Sequence, residues 1–196
     1  MVDKLGKIIL ASGSARRVEI LNAVNWPFET SVAGIDESVE PDEDPVKYVK
    51  RLARSKAEAV AARYEEGLVL GADTTVVVDE MILGQPADDA EARRMLQMLS
   101  GKWHEVLTGV CFVRIGSAGK TIVDHTVTRV RFSEMSDEEI DWYVSTKEPM
   151  GKAGAYGIQG RAALFVKEIE GEYLNIVGLP IRLVYEMWAT ATDFRR

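Results

Sequence analysis

The stretch Ile8-Ile9-Leu10-Ala11-Ser12-Gly13-Ser14-Ala15-Arg16-Arg17 carries the pattern that the rest of the chain varies. Three β-favouring residues run into a turn of small residues, and a helix then opens with two arginines. The spacing predicts a strand over Lys7 to Ala11 and a helix over Ala15 to Ala23. Ser14 stands at the N-cap position, where its hydroxyl can accept from the free N–H groups of the first turn. Bare helix N–H groups beside two arginines make an anion site.

Working outward, Phe28 to Val32 reads as a second strand. The acidic segment Glu40-Pro41-Asp42-Glu43-Asp44-Pro45 is a loop that ends with Asp44 as N-cap and Pro45 in the first helical turn. The helix it opens runs to about Tyr64, with Val49, Leu52, Ala53, Ala57, Val60, Ala61 and Tyr64 as its apolar stripe. A β run from Leu68 to Val78 turns at Asp79-Glu80 into Met81-Ile82-Leu83. Asp88 with Glu91 opens a helix to about Leu99, stopped by Ser100-Gly101. Val106 to Ile115 and Thr121 to Phe132 read as strands around Gly116-Ser117-Ala118-Gly119. Ser136 with Glu139 caps a helix reaching about Ser145. A Gly-rich loop spans Gly151 to Gly160, Ala162 to Ile169 reads as a strand, and Pro180 to Ala189 as the last helix. The class is α/β with a mixed sheet flanked by helices, since the two hairpins imply antiparallel neighbours.

The 196 residues suffice for one sizeable core. A net charge of −7 argues against non-specific nucleic-acid binding, which needs a broad basic surface. Arginines and lysines in an acidic chain can still focus on a small phosphate ligand. Cys111 is the one cysteine and sits in the apolar run Gly109 to Val113, as a core residue would. No apolar run approaches membrane-span length. The N-terminal residues Met1 to Lys7 lack a signal-peptide core, so a cytoplasmic protein is expected.

Three features could carry chemistry. Gly71-Ala72-Asp73-Thr74 places a carboxylate inside a β run, where burial is unfavourable unless the charge is paired or bound. It is either a strand-edge aspartate capping local N–H groups or a ligand-facing one. Asp36-Glu37 supplies a second carboxylate pair, and Asp73 with Glu37 offers the hard oxygens that a divalent cation takes. Lys56 lies on the apolar stripe of its helix, so its stem either snorkels along the core or aims its ammonium into a pocket. In Gly151 to Gly160 four glycines surround Lys152, Tyr156, Ile158 and Gln159. Such a loop lets backbone approach a ligand, or it is a surface connection.

Other patterns fail on inspection. Gly116-Ser117-Ala118-Gly119-Lys120-Thr121 ends like a P-loop, but Arg114 stands where the first glycine belongs and the segment joins two strands. The glycines at 154, 157 and 160 do not form the dinucleotide fingerprint. His104 and His125 lie in β patterns without metal-ligand spacing, and His104 reads as structural.

Taken together, the motifs resemble the Maf family, also called septum formation inhibitor proteins. The matching blocks are Ala11 to Arg17, Ile35-Asp36-Glu37, Leu52 to Ala57, Gly71 to Thr74, Leu99 to His104, Thr108-Gly109-Val110, Lys152 to Gly160 and Val177 to Pro180. Their order and spacing span nearly the whole chain as a single Maf-like domain over residues 1–196. The resemblance implies an inosine-triphosphatase-like fold in two lobes with a central cleft. It also implies a nucleoside triphosphate pyrophosphatase that uses a divalent metal (Mg, Mn or Co), with homodimers frequent in the family.

Within the family, Arg16-Arg17, Thr74 and Gln159 resemble the dTTP/UTP branch, whereas the 7-methyl-GTP branch typically has an aromatic residue in place of the first arginine and a glutamine after the aspartate. The resemblance assigns Ser12, Arg16, Arg17 and Lys56 to the triphosphate. Glu37 and Asp73 take the metal and the attacking water, with Asp73 as general base. Thr74, Lys152 and Gln159 lie at the nucleotide end, where Gln159 reads the pyrimidine edge. Two positions depart from the family pattern: Ala15 replaces a proline, and Gln85, in Gly84-Gln85-Pro86, replaces a lysine used on the polyphosphate. The rival readings are a low-turnover nucleotide-binding regulator of cell division, kept open by Gln85, and a 7-methyl-GTP pyrophosphatase.

Overall fold

A computed structural model describes residues 5–116 and 119–192. Strand β1 (Ile8–Leu10) is buried at every position. It pairs in parallel with β2 (Phe28–Thr30) on one side and with β3 (Gly67–Val78) on the other. An uninterrupted apolar run is what a strand flanked by parallel neighbours requires. Helix α1 (Ala15–Ala23) connects β1 to β2, and α2 (Pro45–Ala61) lies between β2 and β3. β3 then turns back into β4 (Met81–Leu83), pairing antiparallel with Val76 opposite Leu83. Asp79 and Glu80 hold positive φ of 48° and 64° there, the backbone of a two-residue hairpin turn.

The remaining elements are α3 (Asp89–Leu99), β5 (Trp103–Ile115), β6 (Lys120–Phe132), α4 (Asp137–Ser145), β7 (Val166–Glu170), α5 (Tyr173–Val177) and α6 (Ile181–Ala191). The sheet runs β2-β1-β3-β5-β6-β7 with β4 on β3, and β7 is antiparallel to β6. The sheet is mixed, as its hairpins predict. No helix among the described residues is long and apolar enough to cross a membrane.

The chain divides into two compact units: residues 1–73, 108–126 and 178–196 form the first, and residues 74–107 and 127–177 the second. In the first, Ile9, Ala11, Ala53, Ala57, Val60, Val69 and Cys111 form one buried cluster. Burial pushes the Cys111 thiol up to about 12, which leaves it an inert core residue as its apolar run suggested. In the second unit, α3 and α4 are joined by Arg93, which reaches Asp137 at 2.8 Å and Asp141 at 2.6 Å. His104, Phe132 and Tyr156 pack edge to face with centroids 4.9–5.4 Å apart.

Caps were the most legible local signals. Asp44 accepts from the backbone of Val46 and Lys47 with Pro45 in the first turn. Ser136 and Glu139 form a full capping box. Asp88 accepts from Glu91, while the Glu91 carboxylate reaches Ala87. Ser14 does occupy the N-cap position of α1, but its hydroxyl makes no cap bond, and its own N–H donates to Ser12 Oγ at 3.2 Å.

Several elements differ from expectation, β5 for instance starting at Trp103 and not at Val106. α2 stops at Ala61, with Arg63 and Tyr64 in tight turns onto Val60 and Ala61. The predicted strand from Ala162 begins only at Val166, because Arg161–Leu164 form a 3-10 turn in which Ala163 N–H bonds Gly160 O. The five-residue α5 has no periodicity to detect. It is held by buried Asn175, whose amide donates to Val106 O at 2.8 Å and to the Thr128 hydroxyl at 3.0 Å. In the turn read between β5 and β6, Ser117 and Ala118 lie outside the described residues.

Candidate active site

The first unit brings together most of the predicted site residues. Lys56, on α2, directs its ammonium between two carboxylates, 2.6 Å from Asp73 Oδ1 and 3.0 Å from Glu37 Oε1. Its side chain is 14% exposed, Asp73 is 9% exposed and Glu37 53%. Of the two readings open for Lys56, the inward one therefore describes its head group. Asp73 is likewise a paired, buried carboxylate and not a strand-edge cap.

Desolvation raises the Asp73 pKa above its usual 3.8, even though Lys56 and Arg17 both pull it down. Burial outweighs attraction at this group. A buried carboxylate perturbed by specific charges marks a candidate functional site.

Arg17 is buried beside this pair. Its Nε donates to Gly178 O at 2.9 Å and its Nη1 to Ser12 Oγ at 2.9 Å. Ser12 Oγ thus accepts twice, from Arg17 and from Ser14 N–H. Its own O–H is left to donate, as a phosphate oxygen would require. Arg16, the next residue up the first turn of α1, is half-buried.

Three features that position these groups escaped the sequence reading. A Cβ at Gly71 would fall 2.2 Å from Ala53 O, and one at Gly109 would fall 2.2 Å from Val49 O. Helix α2 therefore lies directly on the backbone of β3 and β5, and that contact carries Lys56 to Asp73. The available signal was glycine in two strands together with alanines at 53 and 57 on the helix stripe. The loop bearing Glu37 is tied to α2 as well. The Tyr48 hydroxyl donates to Glu37 O at 3.0 Å, and Arg51 pairs bidentately with Glu43 at 2.6 Å while reaching Ser38 O at 3.0 Å. Burial, with Asp73 and Glu37 nearby, pushes the Tyr48 hydroxyl up to about 12, so it stays a donor. Third, the carbonyl of Gly178 holds Arg17 from a segment 161 residues away in sequence.

The donor set suits a divalent cation in one particular way. Among the described residues no three His, Cys, Asp or Glu side chains form a group able to hold an ion. Two carboxylates with remaining positions open to water and substrate phosphates are nonetheless the usual magnesium arrangement. Asp73 and Glu37 fit a metal that arrives with a polyphosphate, not one held in a protein cage.

The second unit holds the other candidates. The Gly-rich loop is packed: Tyr156 and Ile158 are buried, Gly154 and Ala155 adopt φ of 65° and 60°, and a Cβ at Gly154 would meet the Val76 side chain at 2.8 Å. The surface-connection reading fails there. The Tyr156 hydroxyl bonds His104 Nε2 at 2.9 Å, and burial drives the His104 pKa down to about 4, which keeps it neutral and structural. Lys152 Nζ donates to Glu148 O, while Gln159 is exposed. Gly154 N–H bonds Gly84 O at 3.0 Å, which sets exposed Gln85 next to this loop. Thr74 is half-buried at the start of the unit's share of β3.

Known proteins match along nearly the whole length. The dTTP/UTP pyrophosphatase of Bacillus cytotoxicus is 53% identical over 182 residues, covering 92% of this chain and 94% of its own. That of Symbiobacterium thermophilum is 52% identical over 181 residues, with 92% of each chain covered. Among solved structures, the Ham1 protein of Staphylococcus aureus superposes with a TM-score of 0.55 at 12% identity, over 95% of this chain and all of that one. A HAM1 protein from Coxiella burnetii gives 0.54 at 13% identity, over 95% and 98%. Both agree with the expected inosine-triphosphatase-like fold. Residues 7–191 match the family of Maf-like proteins, and the chain belongs to that family.

Proposed function

We propose that this protein is a nucleoside triphosphate pyrophosphatase that hydrolyses dTTP and UTP to the monophosphate and pyrophosphate, working as a single Maf domain. The observation that supports the reading is the Lys56 ammonium held 2.6 Å from the buried Asp73 carboxylate and 3.0 Å from that of Glu37, a partly desolvated charge cluster of the kind that functional sites carry. The names of relatives at 53% and 52% identity support the substrate class.

The roles follow from what each group can do. Asp73, whose pKa burial raises, accepts a proton from the attacking water. Glu37 and Asp73 would hold a divalent cation, which when bound neutralises charge on the phosphoanhydride. Lys56 orients Asp73, pulls its pKa down against burial, and faces the anionic substrate. Ser12 donates its hydroxyl to a phosphate oxygen, and Arg16 and Arg17 offset the charge that develops on the leaving pyrophosphate. Lys152, Thr74 and Gln159 serve the nucleotide end, with Gln159 on the pyrimidine edge. The proposal is of a cytoplasmic protein, in keeping with the N-terminal residues, and the family resemblance adds a homodimer to it.

The deciding assay is pyrophosphate release from dTTP, UTP, CTP and 7-methyl-GTP with Mg²⁺ or Mn²⁺. Turnover of dTTP and UTP well above the other two is expected. Binding of these nucleotides without pyrophosphate release would point to a regulator instead, and preference for 7-methyl-GTP to the other branch. Gln85 is exposed beside the Gly-rich loop and carries no charge. Restoring the family lysine by Gln85→Lys is expected to raise kcat/KM for dTTP by about tenfold, the increment of one charge-assisted phosphate contact. An unchanged value would show that Lys56 and Arg17 already supply the needed charge.

A further inference from the structure

The exposed Gln159 is flanked on both sides by bonds that lead to one half-buried carboxylate. Two residues before it, Gly157 N–H donates to the Tyr143 hydroxyl at 3.4 Å. That hydroxyl donates to Glu148 Oε1 at 3.1 Å. Two residues after it, Arg161 lies 3.5 Å from Glu148 Oε2. The residue between Gln159 and Arg161 is Gly160, and a Cβ there would fall 2.2 Å from the same Oε1. The Glu148 backbone carbonyl takes the Lys152 ammonium at the other end of the loop. The Glu148 side chain is 17% exposed, and burial, with the Glu148 charge adding to it, holds the Tyr143 hydroxyl well above its usual pKa.

We infer that Glu148 is the positioning residue for base recognition: its carboxylate sits under Gly160 and ties Gly157 and Arg161, so that Gln159 is presented at a set height and angle. Gln159 has three rotatable bonds and no burial of its own. A flexible side chain discriminates between base edges only where its backbone is held, because a loose amide satisfies a donor or an acceptor equally well. Glu148 therefore acts on discrimination between uracil-type and cytosine-type bases, and not on the hydrolytic step.

The inference rests on the proposed reading of Gln159 as the base-contacting residue, and the test separates the two. The ratio of kcat/KM for dTTP over dCTP is measured for the parent, Gln159→Ala, Glu148→Ala, Glu148→Gln and the Glu148→Ala/Gln159→Ala double variant, with melting temperature followed in parallel. Gln159→Ala and Glu148→Ala are each expected to lower the ratio about tenfold, through KM for dTTP. The double variant should fall no more than about twofold below Gln159→Ala alone, because both changes remove the same presented contact. Glu148→Gln keeps an acceptor for Tyr143 and should recover most of the ratio. A normal ratio in Glu148→Ala beside a lowered one in Gln159→Ala overturns the role of Glu148 and leaves the reading of Gln159 standing. Multiplying effects in the double variant overturn it as well. A normal ratio in Gln159→Ala removes the reading itself, and the inference with it. If Glu148→Ala does not fold, Tyr143→Phe, which deletes only the relaying hydroxyl, decides the same question by the same ratio.

Discussion

Asp73→Asn is expected to lower kcat for dTTP by about 10²–10⁴-fold, the range that a positioned general base contributes. Asparagine keeps the shape and a hydrogen-bond acceptor for Lys56 but cannot take a proton from water. The same change is expected to leave the fold as stable as before or more so. Desolvation raises the Asp73 pKa above 3.8 despite Lys56 and Arg17, so the folded state disfavours the charged form of this carboxylate more than the unfolded chain does. The folded protein holds this proton more tightly than the unfolded chain does. Stability from this group is therefore fully present below pH 3.8 and is lost as pH rises through the higher folded pKa. In chelator-treated protein at pH 7 the asparagine variant should melt at or above the parent temperature, and any advantage should vanish in acid. Near-parent kcat would remove Asp73 as the base. A clearly lowered melting temperature would mean that the Lys56 pair stabilises more than its burial opposes.

Gly109→Ala is expected to destabilise the protein by about 3 kcal/mol, the upper end of ordinary overpacking. The added methyl would lie 2.2 Å from Val49 O, 2.5 Å from Val49 C and 2.9 Å from Lys50 N. All three are helix backbone, so no side-chain rotation relieves the clash and α2 must lift from β5. For a chain of this size that corresponds to a melting temperature lower by roughly 6–12 °C. Because α2 also carries Tyr48, Arg51 and Lys56, kcat should fall with it. Gly34→Ala is the control. It meets nothing within 4 Å and its φ is not positive, so its stability should change by less than about 1 kcal/mol. Equal melting temperatures for the two variants would mean that the helix–strand contact has slack the geometry does not show.

Asp79-Glu80, Asp44-Pro45 and Ser136 with Glu139 were readable because each depends on neighbours within four residues. Turn and cap chemistry is local, so composition and spacing suffice. α1 was placed to the residue for the same reason, although the Ser14 hydroxyl proved unnecessary there. Signals without local periodicity were missed or misread. The strand read from Ala162 starts only at Val166, because Gly160 O captures Ala163 N–H and closes a turn. α5 depends on Asn175 reaching Val106 and Thr128, dozens of residues away.

The site divides along the same line. The α/β class, the family and the residue types proposed for phosphate chemistry (Ser12, Arg16, Arg17, Glu37, Lys56, Asp73 and the Gly-rich loop) were legible in the linear pattern. Residue types and their order are properties of the chain, readable without coordinates. That Lys56 faces inward, that Asp73 is paired and desolvated, and that Gly178 O holds Arg17 follow from the folded arrangement. It alone showed why Gly71 and Gly109 must lack side chains, since the 2.2 Å approach of α2 joins segments tens of residues apart. Charge placement and close backbone contact depend on distances between remote segments, and a linear pattern does not encode those distances.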